Sequence, residues 1–385
     1  MPATGTTSLL RNVIAQLRKR ARETTLSDST GVSLTGRDTL LRALVLRRML
    51  RRELAPEERN VGVLLPPTVA AAVTNLTLAL DRRVAVNLNY SLSGELVRFS
   101  IAEAELRHVI TSRAFQERLS IELGGVATIA LEDLAPRASL LDKAVAVVQA
   151  ALPLPLLERV LGIHDIPEDD PMTIIFTSGS TGRPKGVILP WRSIEANTGM
   201  VNALLRLRSD DVMLGVLPFF HTFGYTITLW TMLAIGVSAV FHTNPLEGRV
   251  IGRLLRDHRV TIVLGTPTLL RAYMRRLPPE DFASVELVAT GSEPLPPSVA
   301  DTFEAKYGIW PFQGYGATEL GPIVSANVPV SRAIGDPSRG LRDGTVGRPA
   351  LGVQVQVRDP QSGAVLGPNE RGVLWVTGPH VMLGY

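Results

Sequence analysis

Residues 173–190 read TIIFTSGSTGRPKGVILP, a short apolar run followed by a loop of glycine and hydroxyl residues that ends in a lysine. The apolar run predicts a β-strand, and glycines in the loop would let backbone N–H groups converge on an anion. Lysine is rare in this chain, because only four of the 40 basic residues are lysines: Lys19, Lys143, Lys185 and Lys306. A flexible ammonium placed in this loop therefore suggests contact with phosphate.

The alternation of a short strand with a helix continues along the chain. Apolar runs such as NVGVLLP, RHVITS, TIVLGT and VELVATGS alternate with amphipathic segments such as RAFQERL and PTLLRAYMRR. This alternation predicts an α/β fold with doubly wound parallel sheets. After about residue 330 the sequence alternates between apolar and polar residues with Gly and Pro turns, which predicts a small β-rich subdomain. We expect a first α/β subdomain over residues 1–170, a second over 171–330 with the phosphate loop, and the β-rich subdomain over 331–385.

Composition and charge restrict the classes of function. With 45% hydrophobic and 20% charged residues, the sequence is typical of a globular protein with a sizeable core. The formal net charge of +4 is carried by arginine. This mild excess of positive charge suits phosphates, a carrier protein or lipid headgroups as partners. The basic residues lack the dense clustering expected of a nucleic-acid-binding protein. The absence of cysteine excludes disulfides and thiolate chemistry, and no secretory signal is recognisable, so we expect a cytoplasmic protein.

Three segments raise the question of contact with a membrane. The sequence AVAVVQAALPLPLL, residues 144–157, is too short to span a bilayer and is interrupted by Pro153 and Pro155. We interpret it as a buried helix and a linker, with peripheral membrane contact as the alternative. Two basic segments, LLRNVIAQLRKR and TLLRALVLRRMLRREL, are predicted to be amphipathic helices with a solvated arginine face, with docking on an anionic membrane as the alternative.

A second motif, GYGATE at residues 314–319, combines an aromatic ring, a hydroxyl and a carboxylate between glycines. An aromatic face can stack on a base, and a lone carboxylate among phosphates suits Mg²⁺. Considered alone, this motif is better explained as an exposed turn, and the loop before Lys185 as a flexible one. That loop also departs from the GxxxxGK[ST] pattern, because Gly186 follows Lys185, which disfavours a kinase-like P-loop protein.

Together, the two motifs resemble core motifs of the adenylate-forming (AMP-binding) superfamily of acyl-CoA synthetases, nonribosomal adenylation domains and luciferases. Three further stretches match in order: PFFHTFGYT at 218–226, GSEPL at 291–295 and ERGVLWVTGPHVMLGY at 370–385. The stretches GATELGPIVSANVP and GTVGRPALGVQVQV look most like bacterial acyl-acyl-carrier-protein synthetases, with fatty acyl-CoA synthetases next. The resemblance covers roughly residues 60–385 and implies the large domain of that superfamily.

The resemblance implies an AMP-forming acid–thiol ligase with ATP and Mg²⁺ as cofactors. Such an enzyme joins a fatty acid to the α-phosphate of ATP, releases pyrophosphate and transfers the acyl group to a pantetheine thiol. Acyl carrier protein is the favoured acceptor and CoA the alternative; a non-catalytic nucleotide- or acyl-binding protein remains a third reading. Family members continue beyond GY into a domain with a catalytic lysine. We therefore expect a shortened chain that is impaired or inactive in adenylation.

The resemblance also implies roles for individual residues. Lys185 would contact the β- and γ-phosphates, Thr318 the α-phosphate, and Glu319 would hold Mg²⁺. His221 would flank the acyl carboxylate, although a core histidine bonded to backbone explains it equally well on local evidence. Tyr315 would stack on adenine. The residues expected to bind the nucleotide are Thr177, Ser178, Gly179, Ser180, Thr181, Gly182, Lys185, Gly291, Ser292, Glu293, Gly314, Tyr315, Gly316 and Thr318.

Overall fold

A computed structural model describes residues 5–119, 121–177, 182–328, 332 and 344–385. The helices α1 to α13 lie at Leu9–Lys19, Gly36–Glu53, Val69–Leu80, Gly94–Glu103, Arg113–Leu119, Leu131–Leu134, Leu140–Ala151, Leu154–Leu161, Trp191–Leu205, Met232–Ile235, Gly248–Asp257, Pro267–Arg276 and Pro297–Tyr307. The strands β1 to β17 lie at Thr24–Asp28, Ser33–Thr35, Asn60–Leu64, Val84–Asn87, His108–Thr111, Ala127–Ala130, Pro171–Thr177, Lys185–Pro190, Val212–Gly215, Ser238–Phe241, Ile262–Gly265, Leu287–Thr290, Phe312–Gly316, Ile323–Ala326, Arg348–Pro349, Gln354–Arg358 and Val373–Thr377.

The smaller of two large sheets has the strand order β6-β5-β3-β4-β7-β8 within the described chain. Its strands pair in parallel except for β7 with β8. Strand β3 leads through α3 to β4 on one side, whereas β5 leads through α5 to β6 on the other. The chain thus winds outward in opposite directions from these neighbouring strands. Their carboxyl ends form a topological switch point, the place where α/β sheets commonly bind ligands.

The larger sheet has the order β15-β14-β13-β12-β11-β9-β10-β1-β2 among the described strands. Pairing is parallel from β13 to β1 and antiparallel at both edges. Central strands such as Ile262–Gly265 are buried along their whole length, as expected where helices cover both faces of a parallel sheet. One apolar core includes side chains from both large sheets, among them Val61 and Val263. The predicted α/β fold with doubly wound sheets is confirmed.

Strand membership does not follow the predicted boundary at residue 170. Strands β1 and β2 precede that boundary and belong to the larger sheet, whereas β7 and β8 follow it and belong to the smaller one. An apolar run indicates that a strand is buried, but it carries no information about which strand it pairs with. The division into subdomains itself stays a prediction.

The small β-rich part consists of an antiparallel ribbon of β16 and β17. Its register pairs Gln354 with Thr377 and Arg358 with Val373. Trp375 is 52% exposed, and the Arg358 guanidinium lies 4.7 Å from the centre of its ring. The ribbon therefore contributes little to the common core.

The interpretation of residues 144–157 as a buried helix is wrong. Most of this stretch belongs to α7 and α8, and it exposes large apolar side chains: Val148 is 62% exposed, Leu156 47% and Val147 46%. Polar contacts hold α7 in place, because Arg48 and Arg52 of α2 each donate to the Asp142 carboxylate at 3.0 Å. No helix in the described ranges combines the length and apolar character needed to cross a bilayer.

Candidate functional site

The predicted phosphate loop connects two antiparallel strands of the smaller sheet. Strand β7 ends at Thr177, β8 begins at Lys185, and these two residues pair across the ladder, so the ends of the loop are adjacent. Gly182 has φ +81°, in the left-handed region that favours glycine. The strand before the loop was predicted, whereas β8 after it was not. The remaining predicted loop residues, Ser178, Gly179, Ser180 and Thr181, lie outside the described residues.

The GYGATE motif forms the end of β13 and a single 3₁₀ turn, Thr318–Leu320. A glycine is required at Gly316, because a Cβ built there would overlap the carbonyl oxygen of Pro322. The Ala317 N–H donates to the same oxygen at 2.9 Å. The close approach of these two backbone segments thus sets the position of Glu319.

Lys185 and Glu319 both contact Tyr385. The Tyr385 hydroxyl donates to Glu319 Oε1 at 3.0 Å, and the Lys185 ammonium lies 4.8 Å from the centre of the tyrosine ring. Desolvation and the bond to Glu319 raise the pKa of the phenol. Backbone hydrogen bonds at 2.9 Å join residues 382–384 to Ile188 of β8 and to Glu319. Two motifs that are far apart in sequence therefore meet around one side chain.

A cavity of about 390 Å³, the first cavity, lies at the carboxyl ends of β9, β11 and β12. Its walls are mostly apolar and include Val201, Leu204, Leu217, Ile227, Leu264, Phe312 and Ile323. The predicted site residues that line it are His221, Gly291, Ser292, Gly314, Tyr315, Gly316 and Thr318. The fold thus brings residues of three predicted motifs to one space.

An adjoining cavity of about 630 Å³ shares Ser292, Phe312, Gly314, Tyr315 and Gly316 with the first cavity. Glu293 also lines it, and its Oε2 accepts a hydrogen bond from the Thr268 hydroxyl at 2.7 Å. Ser292 has φ +67°, which is uncommon for a residue with a Cβ and is a feature that clusters at functional sites. Tyr315 is 42% exposed, so its ring is accessible to a ligand.

His221 has the surroundings of a site residue. Its ring packs against Phe220 with the ring centres 4.7 Å apart, and within the described part of the chain its nitrogens have no protein hydrogen-bond partner. The ring is accessible to solvent through the first cavity, yet enough protein surrounds it that desolvation lowers the pKa of the imidazole. A neutral imidazole at pH 7 can donate one hydrogen bond to a carboxylate.

Asn197, which the sequence interpretation missed, holds the Glu319 turn in place. This buried side chain on α9 donates to Leu320 O at 3.0 Å, and its Oδ1 accepts from Ile323 N at 2.9 Å. One turn earlier, the Ser193 hydroxyl donates to His380 O at 2.6 Å. The only sequence signal was a serine and an asparagine four residues apart, the spacing of one helical turn.

Glu319 fits a metal that arrives with a nucleotide. The residues that the structure describes contain no group of three or more His, Cys, Asp or Glu side chains that could enclose an ion. Mg²⁺ commonly takes one or two carboxylates together with substrate phosphates and several waters. A lone carboxylate beside a predicted phosphate loop meets that requirement.

Comparison with known proteins identifies a family and several relatives of this chain. The sequence profile of the AMP-binding enzymes matches residues 14–385. 4-Coumarate–CoA ligase 2 of Oryza sativa subsp. japonica is 34% identical over 227 residues, which cover 57% of this chain and 39% of the rice enzyme. Long-chain-fatty-acid–CoA ligase of Bacillus subtilis strain 168 is 30% identical over 225 residues, covering 57% and 38%. The matched part thus spans about two fifths of the length of these relatives.

Among solved structures, O-succinylbenzoate coenzyme A synthetase from Bacillus subtilis, in complex with AMP, superposes with a TM-score of 0.79. The two sequences are 21% identical, and the match covers 96% of this chain and 88% of that one. At this identity the similarity establishes the fold alone, and it confirms the predicted large-domain fold. The profile match over nearly the whole chain confirms the superfamily that the motifs predicted. The chain belongs to the AMP-binding enzyme family.

Proposed function

We propose that this chain provides the nucleotide and acid sites of a ligase that converts ATP and a carboxylic acid into an acyl-adenylate and pyrophosphate. The meeting of Lys185 and Glu319 around Tyr385 carries this proposal, together with the position of Thr318, the neighbour of Glu319, in the wall of the first cavity. The Lys185 ammonium would contact the β- and γ-phosphates of ATP, and the Glu319 carboxylate would hold the Mg²⁺ bound to them. The cavity beyond them suits the acid.

The chemistry requires two anions to approach each other. A carboxylate oxygen bonds to the α-phosphorus, the bond from that phosphorus to the bridging oxygen breaks, and pyrophosphate leaves. Each pair of like charges 4 Å apart costs about 4 kcal/mol at an effective dielectric of 20. Lys185 would offset this repulsion on the β- and γ-phosphates, and Mg²⁺ held at Glu319 would supply further positive charge. Thr318 would contact the α-phosphate, and His221 would orient the acid.

The apolar walls of the first cavity favour an apolar acid. A volume of about 390 Å³ lies near the lower end of the range of roughly 300–1,000 Å³ for small-molecule pockets. We propose a fatty acid, with an aryl acid as the second candidate because relatives are named for both kinds. The relatives' names favour CoA as the thiol acceptor, and acyl carrier protein remains the alternative that the sequence resemblance favours.

Nucleotide binding tests the proposal on this chain directly. We expect Lys185→Ala to weaken MgATP binding about 10- to 100-fold in isothermal titration calorimetry, because a hydrogen bond to a charged group contributes about 1.5–3 kcal/mol. Lys19→Ala is the matched control, since Lys19 is exposed and lines neither the first nor the adjoining cavity. Equal affinity in Lys185→Ala and the wild type contradicts the assignment of Lys185.

Catalysis is tested by carboxylate-dependent ATP–pyrophosphate exchange on the natural full-length protein, with octanoate, hexadecanoate and 4-coumarate as acids. We expect Lys185→Ala and Glu319→Ala to abolish exchange, since each removes a group that offsets the charge of the triphosphate. Offering CoA and acyl carrier protein to the wild type then identifies the thiol acceptor. Normal exchange in both variants would falsify the proposed site.

A further inference from the structure

A third cavity, which we call the switch-point cavity, has a volume of about 1010 Å³. It shares no described lining residue with the first or the adjoining cavity. Its walls are largely apolar and include Val45, Leu46, Met49, Leu65 and Val73. An apolar cavity of this size suits an apolar ligand.

The position of this cavity in the fold is one that α/β proteins use for ligands. Leu65 follows β3 and Ser112 follows β5, the neighbouring strands from which the chain winds in opposite directions. Asp28 ends β1 of the larger sheet, and Thr243 follows β10. The cavity therefore lies where the carboxyl ends of strands from both sheets meet, which includes the switch point of the smaller sheet.

Three cations line the switch-point cavity without a carboxylate partner among the described residues. Arg42, Arg118 and Lys143 are exposed, and their side chains make no hydrogen bond or ion pair within the described residues. Other arginines of the same helix do have a carboxylate partner, since Arg48 of α2 is paired with Asp142. The lack of a partner is therefore particular to the cations that line the cavity. Unpaired cations beside an apolar space favour an anionic group at its opening.

The carboxylate of Asp28, which also lines this cavity, is already occupied. Its Oδ1 accepts from Thr30 N at 2.9 Å, and its Oδ2 accepts from Val69 N at 2.9 Å. Asp28 is 5% exposed, so its negative charge is compensated by these two amide N–H groups and is shielded from the cavity. The three cations thus dominate the charge that a ligand would meet.

We propose that the switch-point cavity binds a single-chain anionic amphiphile, with its apolar tail among the walls and its head against Arg42, Arg118 and Lys143. Exposed apolar side chains of α7 continue the apolar surface outside, because Val147 lines the cavity while Leu140 on the same helix is 84% exposed. The head is a carboxylate or a phosphate, as in a fatty acid or a lysophospholipid.

Aromatic rings separate this site from the candidate active site. Phe115 of the switch-point cavity packs on Tyr90 at 5.0 Å between ring centres, and Tyr90 packs on Phe220 at 4.7 Å. Phe220 in turn contacts His221 of the first cavity. The switch-point cavity is therefore a separate site, and the proposal does not rest on the proposed function.

Photocrosslinking locates the bound tail. We expect hexadecanoate with a diazirine near the end of its chain to label peptides of α2 and α3, as identified by mass spectrometry. Unlabelled hexadecanoate or lysophosphatidate should compete, whereas the neutral hexadecanol should not, and the more potent anionic competitor identifies the natural headgroup. Labelling confined to peptides of α9 overturns the proposal, as does equal competition by hexadecanol.

Substitutions test the cationic head site and the cavity separately. The double variant Arg42→Ala, Lys143→Ala should bind hexadecanoate at least tenfold more weakly, since it loses two charged contacts. Arg37→Ala is the matched control, because Arg37 is exposed on the same helix and does not line the cavity.

The variant Ala70→Trp should fill the cavity from an exposed position on α3 and abolish the labelling of α2. Unchanged MgATP affinity and thermal melting show that each variant is folded, and they keep this test separate from that of the proposed function. Unchanged hexadecanoate binding in both the double variant and Ala70→Trp overturns the proposal.

Discussion

At the scale of single residues, Asn197 shows how a buried amide can orient a site that it does not line. The side chain is fully buried, and both ends of its amide are used: Nδ2 donates to Ser193 O and Leu320 O, and Oδ1 accepts from Ile323 N. Leu320 and Ile323 flank the cis Gly321–Pro322 bond that follows the Glu319 turn. Helix α9 is thereby connected to the segment that carries the predicted metal ligand.

We expect Asn197→Ala to lower the free energy of unfolding by about 1–3 kcal/mol, because Ile323 N and Leu320 O lose their buried partner. The Glu319 turn would also lose its anchor, so MgATP affinity should fall. Urea denaturation and calorimetry measure the two effects. Asn202→Ala is the control on the same helix, since no hydrogen bond involves the Asn202 side chain within the described residues. An Asn197→Ala variant as stable as this control contradicts the anchoring role.

From the sequence, candidate site residues could be predicted where the side-chain chemistry itself indicates the role. Lys185, Tyr315 and Glu319 were selected because an ammonium, a ring and a carboxylate in glycine-rich turns suit a nucleotide. Tyr385 and Asn197 were missed because their roles depend on contacts across the fold. Asn197 and Leu320 are 123 positions apart, and no local pattern indicates such a pair.

At the scale of elements, α7 is a helix whose start is held by polar contacts. Asp142 N donates to the Ser139 hydroxyl at 3.1 Å, and Ser139 N donates to Asp142 Oδ2 at 3.1 Å, which forms a capping box. Arg48 and Arg52 tie the same carboxylate to α2. Hydrogen bonds from Arg52 and Ser139 keep the pKa of Asp142 well below its usual range. The attachment therefore persists at neutral pH and weakens only as acid protonates the carboxylate.

We expect Ser139→Ala to destabilise α7 by about 1 kcal/mol, the usual cost of losing a serine N-cap. Hydrogen–deuterium exchange should accelerate in peptides of residues 140–151. Ser93→Ala, which removes the N-cap of α4, is the control and should leave exchange in α7 unchanged. Slow exchange of α7 in Ser139→Ala would mean that other contacts hold this helix.

Most elements were predictable because each leaves a local signature. PTLLRAYMRR was recognised from its periodicity and forms α12, residues 267–276. The exposure of a helix could not be predicted in the same way. The periodicity of α7 indicates an apolar face, but it does not indicate whether another element packs against that face. The sheet partner of β1 was equally hidden, because Leu26 pairs with Ala239 of β10, which lies far along the chain.

At the scale of the whole molecule, the site lies where the two sheets meet. Lys185 begins β8 of the smaller sheet, whereas Glu319 follows β13 of the larger one. The residues between them in sequence build much of the larger sheet. A displacement of one sheet against the other would therefore separate the two groups that the proposed reaction needs.

Buried histidines should make the stability of this assembly depend on pH. His380 is fully buried, and within the described residues neither of its ring nitrogens has a hydrogen-bond partner. Desolvation, aided by Arg192, lowers the pKa of His380 below that of an unfolded histidine, and desolvation does the same for His242 despite the opposing effect of Glu247. The unfolded chain thus binds protons more readily than the folded one. The contribution of these histidines to the free energy of unfolding is therefore fully present above about pH 6.5 and decreases as the pH falls.

We therefore expect the melting temperature to fall between pH 7 and pH 5, with each of these histidines contributing up to about 1.4 kcal/mol per pH unit. Carboxylates contribute mainly at lower pH, so the histidines dominate in this interval. His380→Gln keeps a polar side chain without an ionisable ring, and it should flatten the dependence of melting temperature on pH whatever it does to stability at pH 7. His164→Gln is the control, because the His164 side chain is 46% exposed. A slope as steep in His380→Gln as in His164→Gln would mean that His380 takes up no additional proton on unfolding.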